Sequence, residues 1–222
     1  SENNIRGIFQ FNSKFPLQKK GEKYLSTLTP NFVAKFNPQS NKNINNEERL
    51  IDYSNIYSID RISSSTTLEG GESVTLGNEF RLFSNLDKSS EILSLNLAAS
   101  FRSDENLDLP KSSFIGQKTS NIVGQSRVKL NEFLDLEYDF LSDNNFGEFH
   151  YHNINSKIKI NNFVSTFEFI EEGDEIGKTH FIANETSLKF DDTKSLKFRT
   201  RKNKKTDLTE YYNLIYEYKM DC

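Results

Sequence analysis

The chain has 222 residues, 35% of them hydrophobic, with a formal net charge of −4 and 19 Phe and 9 Tyr but no Trp. Charges of both signs are interspersed, which excludes the basic face of a nucleic-acid binder. No run of eighteen apolar residues marks a transmembrane helix, and no charged-then-apolar leader opens the chain.

Alternation with period two dominates from the start. Phe9, Phe11 and Phe15 alternate with Gln10, Asn12 and Lys14, and Phe32, Ala34 and Phe36 follow. Successive side chains of a strand point to opposite faces, so each such run is a strand with one apolar and one polar face. Next come Val74, Leu76, Phe80 and Leu82, then Leu93, Leu95, Leu97, Ala99 and Phe101. From Val128 to Phe140 the alternation reads as one long strand, broken only by Phe133. "INSKIKI", "FVSTFEFI", "THFIANETSLKF", "SLKFRTRK" and "EYYNLIYEYKM" complete the series, giving about ten strands. The polar connectors "SDNNFGE", "INN", "EEGDEIG", "DDTK" and "KNKKTD" are hairpin turns, and two connectors are long, 37–52 and 103–121.

Several runs exceed the usual strand of about 5–6 residues. They reach the length of about 9–11 residues that crosses a membrane. Long alternating hairpins are the signature of an outer-membrane barrel, whose lipid face is apolar and whose lumen is polar. Lipid tolerates only a closed sheet. The pattern favours an all-β, antiparallel up-and-down transmembrane β-barrel. A soluble β-sandwich binding module stays open as an alternative, since solvated polar faces would give the same alternation.

Candidate sites are sparse. His150 and His152 in "HYH" are expected on one strand face, but zinc wants further ligands and only His180 remains. Polar strand positions are the simpler account, and no metal or cofactor is expected. Glu171 to Glu175, "EEGDE", lacks calcium-loop spacing and reads as a solvated turn. Arg199, Arg201, Lys202, Lys204 and Lys205 cluster at a hairpin end, where they either keep a turn soluble or meet headgroup phosphates. The motifs of hydrolases and phosphate-binding loops are missing, so an enzyme is not expected.

Three segments carry a resemblance: "IDYSNIYSIDRISSSTTLEGGESVTLGNEFRLF", with Asp52, the run Asn55 to Arg61 and Glu69–Gly70; "GQKTSNIVG", Gly116 to Gly124; and "LTEYYNLIYEYKMDC", Leu208 to Cys222. In this order, and over most of the chain from about residue 28 on, they resemble the barrel domain of the LptD family (OstA, organic solvent tolerance protein) in its alphaproteobacterial form. The resemblance implies an outer-membrane translocon that inserts lipopolysaccharide into the outer leaflet and makes or breaks no bond. It implies outer-membrane lipid around the barrel, an LptE-type lipoprotein plug within it and a periplasmic bridge component beneath it. Residues 1–222 would then be one piece of the barrel, without the N-terminal jelly-roll domain or the final strands. By the same resemblance, Cys222 would sit near the periplasmic rim and form an interdomain disulfide with a partner outside this chain. A different outer-membrane barrel, porin-like or adhesin, is the nearest alternative.

Overall fold

The computed structural model describes residues 7–85, 90–173 and 176–219. Its strands form one antiparallel sheet in up-and-down order. β1 (Phe9–Lys14) and β2 (Leu17–Lys20) both pair with β3 (Tyr24–Asn37). β4 (Gly71–Ser84), β5 (Ser90–Arg102), β6 (Ile122–Leu130), β7 (Leu134–Ser142) and β8 (Phe149–Ile160) follow in sequence, each beside its predecessor. β9 (Phe163–Glu172), β10 (His180–Lys189), β11 (Lys194–Asn203) and β12 (Leu208–Tyr218) continue it, and β1 and β12 end the path of this open, 12-stranded sheet.

Two strands beyond the ten expected have simple causes. The run Phe9 to Lys20 is split by Pro16, which has no N–H to give the ladder; Phe15 still donates to the Pro30 carbonyl at 3.1 Å. The apparent single strand from Val128 to Phe140 is a hairpin. Residues 131–133 turn the chain, Asn131 takes a positive φ of 52°, and Leu130 pairs with Leu134. Three turn residues preserve the parity of the alternation, so the apolar face runs through the turn without a phase shift. Phe133, the exception to the alternation, is the turn.

The faces follow the pleat. Phe32 pairs with Leu76 and Leu76 with Ala99; Ala34 pairs with Val74 and Val74 with Phe101. These rows lie on one bare face, where Phe36, Leu76, Leu95 and Leu97 are exposed. An aromatic stack of Tyr138, Phe140, Phe149 and His152 borders this face at one end. Exposed Phe133, Phe190, Tyr216 and Tyr218 lie towards the other. Gly124 has a purpose here, since the Phe140 ring lies across it and a Cβ would fall 2.1 Å from that ring. Polar groups on this face pair with each other: Ser165 and Thr186 hydroxyls lie 2.9 Å apart, and Asn184 Nδ2 donates to Ser165 Oγ at 3.1 Å, so these groups satisfy one another.

The connectors divide by rim. Residues 21–23, 131–133, 161–162 and 190–193 make short turns at one rim. Residues 38–70, 103–121, 143–148, 176–179 and 204–207 occupy the other. The first long connector runs to residue 70, well past the expected 52, because "NIYSIDR" belongs to a loop rather than to an approach to a strand.

Candidate functional site: a clamped loop and an open wall

The opposite, inner face was expected to be wet throughout. Over β3–β5 it is not. Asn31, Lys35, Asn37, Ser73, Thr75, Asn96, Ser100 and Arg102 all point inward and are buried. The long loops fold onto them. Ile51, Ile56 and Ile62 from the first loop and Leu109, Phe114 and Ile115 from the second form a core with Ala98, Val123 and Leu141 of the sheet. This is a packed soluble-type core inside a two-faced sheet. The isoleucines at 51, 56 and 62 have neither strand nor helix period, which is why alternation does not reveal them.

A buried ionic cluster fixes the first loop to the strands. Arg61 Nε donates to Glu69 Oε2 at 2.7 Å and its NH2 group to Glu69 Oε1 at 2.6 Å, a bidentate pair. The rest of the guanidinium donates to Ser73 at 3.0 Å and Thr75 at 3.2 Å on β4 and to Ser100 at 2.9 Å on β5. Arg102 of β5 reaches Glu69 Oε1 at 2.6 Å and also donates to the Gly70 carbonyl. Lys35 of β3 donates to the Ser58 carbonyl, and Asn37 Nδ2 to the Glu69 carbonyl at 2.9 Å. Three strands therefore hold one loop. Burial, the largest influence on the Glu69 carboxyl, pushes its pKa up, but Arg61, Lys35 and Arg102 together hold it down at about 2.

The loop also needs room against the sheet. At Gly77 a Cβ would stand 1.9 Å from the Tyr57 hydroxyl and 2.5 Å from the Leu97 carbonyl. Only glycine lets Tyr57 rest on β4. Tyr57 packs edge-on against Tyr53, and burial raises the pKa of both hydroxyls.

Beyond the loops, towards β12, the inner face is an open wall with a hollow of about 470 Å³ lined by Arg127, Asp135, Glu137, Lys157, Glu185 and Arg199 among others. Its charges are compensated sideways between strands. Arg127 meets Asp135 at 3.1 Å, Arg199 meets Glu185 at 2.8 Å and Lys197 meets Glu217 at 2.9 Å.

The sites read from the sequence fall as follows. Arg199 and Arg201 face the inner side, and Arg201 pairs with Glu210 at 2.9 Å while its guanidinium lies 3.9 Å from the Phe181 ring centroid. Lys202 faces the bare side and pairs with Asp207 at 2.6 Å. Lys204 and Lys205 lie in the turn after β11, so the five cations do not converge. His150 and His152 do not share a face as expected. A bulge opposite Leu141 and Ser142 takes His150 out of the alternation, and its ring lies 4.8 Å from Phe114 of the inner loop. His152 instead stacks on Phe149 and accepts or donates a 2.8 Å bond with the Tyr138 hydroxyl. Among the described residues no three His, Cys, Asp or Glu side chains gather to hold a metal ion. Asp174 and Glu175 of the acidic turn and Cys222 lie outside the described residues.

The decisive comparison is with protein families: residues 1–175 match the family described as LptD, LPS transport system D. The chain belongs to the LptD family. It is therefore a component of lipopolysaccharide transport in the outer membrane, with lipopolysaccharide and the other members of that transport system as its partners, and not an enzyme. A comparison with curated proteins finds no match. The LptD match contains the whole clamp, both long loops and the first two of the three segments that carry the resemblance, and it stops before β10. No helix among the described residues of this LptD chain is long and apolar enough to cross a membrane.

Proposed function

We propose that residues 1–222 form part of the wall of an outer-membrane β-barrel that inserts lipopolysaccharide into the outer leaflet. The observation that carries this reading is the two-faced sheet. One face is apolar and aromatic-bordered, the other polar, on strands long enough to cross the hydrocarbon layer. A soluble sandwich would have to cover the bare face with a second sheet.

The rims supply an orientation. Outer-membrane barrels keep short turns in the periplasm and long loops outside. The rim of residues 38–70 and 103–121 is then the cell exterior. There Lys202, Lys204 and Lys205 stand near headgroup phosphates, while Arg199 and Arg201 serve the inner wall. The open wall towards β12 is the seat for an LptE-type lipoprotein plug, and the periplasmic bridge component docks below the short turns, where an upstream jelly-roll domain would lie. β12 ends at this same rim, with Lys219 donating to the Thr193 carbonyl at 2.8 Å. Cys222 follows three residues on, where a disulfide to a periplasmic domain is feasible.

The complete gene product, expressed with a signal peptide in a Gram-negative host, tests this. An outer-membrane band that shifts with heating, and a reductant-sensitive shift lost in Cys222→Ser, are expected. A protein recovered in a soluble fraction with no heat shift would sink the reading.

A further inference from the structure

We propose that Asn31, Glu79 and Asn96, on the adjacent strands β3, β4 and β5, hold a hard metal cation of the Ca²⁺ class on the inner face. The site goes beyond the membrane-wall reading and does not depend on it. It is marked by buried oxygens that lack donors. Asn31 and Asn96 are 3% and 6% exposed, and the Oδ1 atom of each has no hydrogen-bond partner among the described residues. The Tyr57 hydroxyl, resting on Gly77 beside Asn31, has none either. Buried polar atoms are rarely left so, and neighbours in the same condition point to a shared ligand.

Carboxylates fix which way each amide points. Gln125 Nε2 donates to Asp139 at 2.9 Å and to Glu137 at 3.3 Å, so Gln125 Oε1 accepts from Asn96 Nδ2 at 3.3 Å. Asn96 therefore turns its Oδ1 away from β6 and towards β4, where the register sets Glu79 opposite. On the other side, Asn31 Nδ2 donates to Glu79 Oε1 at 2.9 Å and to the Tyr53 hydroxyl at 3.4 Å, which leaves its Oδ1 an acceptor too. Rotating either amide would set its oxygen against Gln125 Oε1 or against the Glu79 carboxylate. The set is all oxygen, which suits Ca²⁺ and not a softer metal. Amide oxygens carry it, so it needs no gathering of His, Cys, Asp or Glu.

Two cations already attend Glu79, Lys14 of β1 at 3.2 Å and Arg81 at 3.4 Å. Their side chains are 65% and 46% exposed, so both can swing into water. The metal must displace them and finds only one carboxylate, which sets a weak dissociation constant of about 10⁻⁴–10⁻³ M. Displacement also changes what is tied to what. The Lys14–Glu79 pair reaches over β3 from β1 to β4, and the metal would exchange it for a tie among β3, β4 and β5.

The test uses the complete gene product, purified in detergent and titrated with Tb³⁺ in competition with Ca²⁺. Tb³⁺ takes the same oxygen ligands and luminesces when excited through a nearby tyrosine, here Tyr53 or Tyr57. Wild type should show tyrosine-excited luminescence that Ca²⁺ displaces. Glu79→Gln should weaken binding about tenfold or more, because the one anionic ligand is gone. Asn96→Leu should weaken it with the Lys14–Glu79 pair intact, and Lys14→Ala should tighten it by removing a competitor. Glu185→Gln, on the open wall, should match wild type. A Glu79→Gln protein that binds as wild type does overturns the site and means an adventitious ion only. Wild type without Ca²⁺-displaceable luminescence also overturns it, and ordered water then serves the amide oxygens. If Glu79→Gln does not fold, Asn96→Leu and Lys14→Ala decide, and unchanged affinity in both overturns the site. A protein that binds Ca²⁺ as expected but shows no heat-modifiable band indicts the barrel reading alone, so the two failures are distinguishable.

Discussion

Two Arg–Glu pairs of this chain have nearly equal lengths and opposite roles. Arg61 and Glu69 stand 2.6 Å apart at 0% and 3% side-chain exposure, under the long loops. Arg199 and Glu185 stand 2.8 Å apart at 41% and 44%, on the open wall. The first pair is dry, so each partner depends on the other for its charge balance. The second is in water, which already stabilises both ions and leaves little for the pair to add. Distance does not tell these pairs apart; solvent does. The inner face accordingly has a clamped half, built like a soluble protein's interior, and an open half that only neutralises its own charge.

The largest effect should come from breaking the dry pair alone. Glu69→Ala leaves Arg61 and Arg102 buried without a counter-ion, which typically costs about 3–5 kcal/mol. Hydrogen exchange should show residues 38–70 losing protection while β9–β12 keep theirs. Acid should do the same more gently. The Glu69 carboxyl is held at about 2, below its ordinary 4.5. A depressed carboxyl stabilises fully above its unfolded value and loses that contribution as pH falls through its folded one. The loop should therefore resist pepsin near pH 5 and become cleavable as pH falls from about 4.5 towards 2. Resistance that persists unchanged down to pH 2 would mean that the Ile core, and not the ion cluster, holds the loop.

A second contrast lies between the two faces of one strand. Leu76 points to the bare face of β4, and Gly77 to the face beneath Tyr57. On a lipid-facing site near mid-strand, Leu76→Arg should cost about 2–4 kcal/mol. It should reduce the heat-modifiable fraction, and retention of full folding would mean that this face does not meet lipid. Gly77→Ala is chemically mild but meets the Tyr57 hydroxyl and the Leu97 carbonyl. Overpacking of this kind costs about 1–3 kcal/mol. Adding Tyr57→Phe should recover part of that loss, because the nearest clash is with the hydroxyl oxygen.

These contrasts also explain what the sequence reveals. The alternation of Leu93, Leu95, Leu97 and Phe101 betrays β5 because one face must be apolar and the next polar. It does not betray what covers the polar face, since a buried serine and a solvated serine look alike in a sequence. Ser73, Thr75 and Ser100 read as wet positions, yet they are the receptors for Arg61. Arg61 and Glu69 are eight residues apart in an aperiodic stretch, and Arg102 closes a strand far downstream. Only the fold brings them together. The quoted "NIYSIDR" and Glu69–Gly70 words did mark the region, through resemblance rather than through any periodic signal. The hairpin at Asn131 was hidden for a different reason, because a three-residue turn leaves the parity of the alternation intact.

The smallest effect should come from the wet pair, and it is the sharpest check on the comparison. A double-mutant cycle with Arg199→Ala and Glu185→Ala, read by denaturant unfolding of the complete barrel, should give a coupling of about 0.2–1 kcal/mol. The coupling should shrink as salt rises, because counter-ions screen an ion pair that is exposed to solvent. A coupling near that of a buried pair, insensitive to salt, would require the open wall to be dry in the assembled protein. Something would then have to cover it, and a plug seated against β10 and β11 is the occupant that the proposed function supplies. The same cycle with and without the proposed lipoprotein plug would locate that cover: a small, screened coupling in its absence and a larger, unscreened one in its presence.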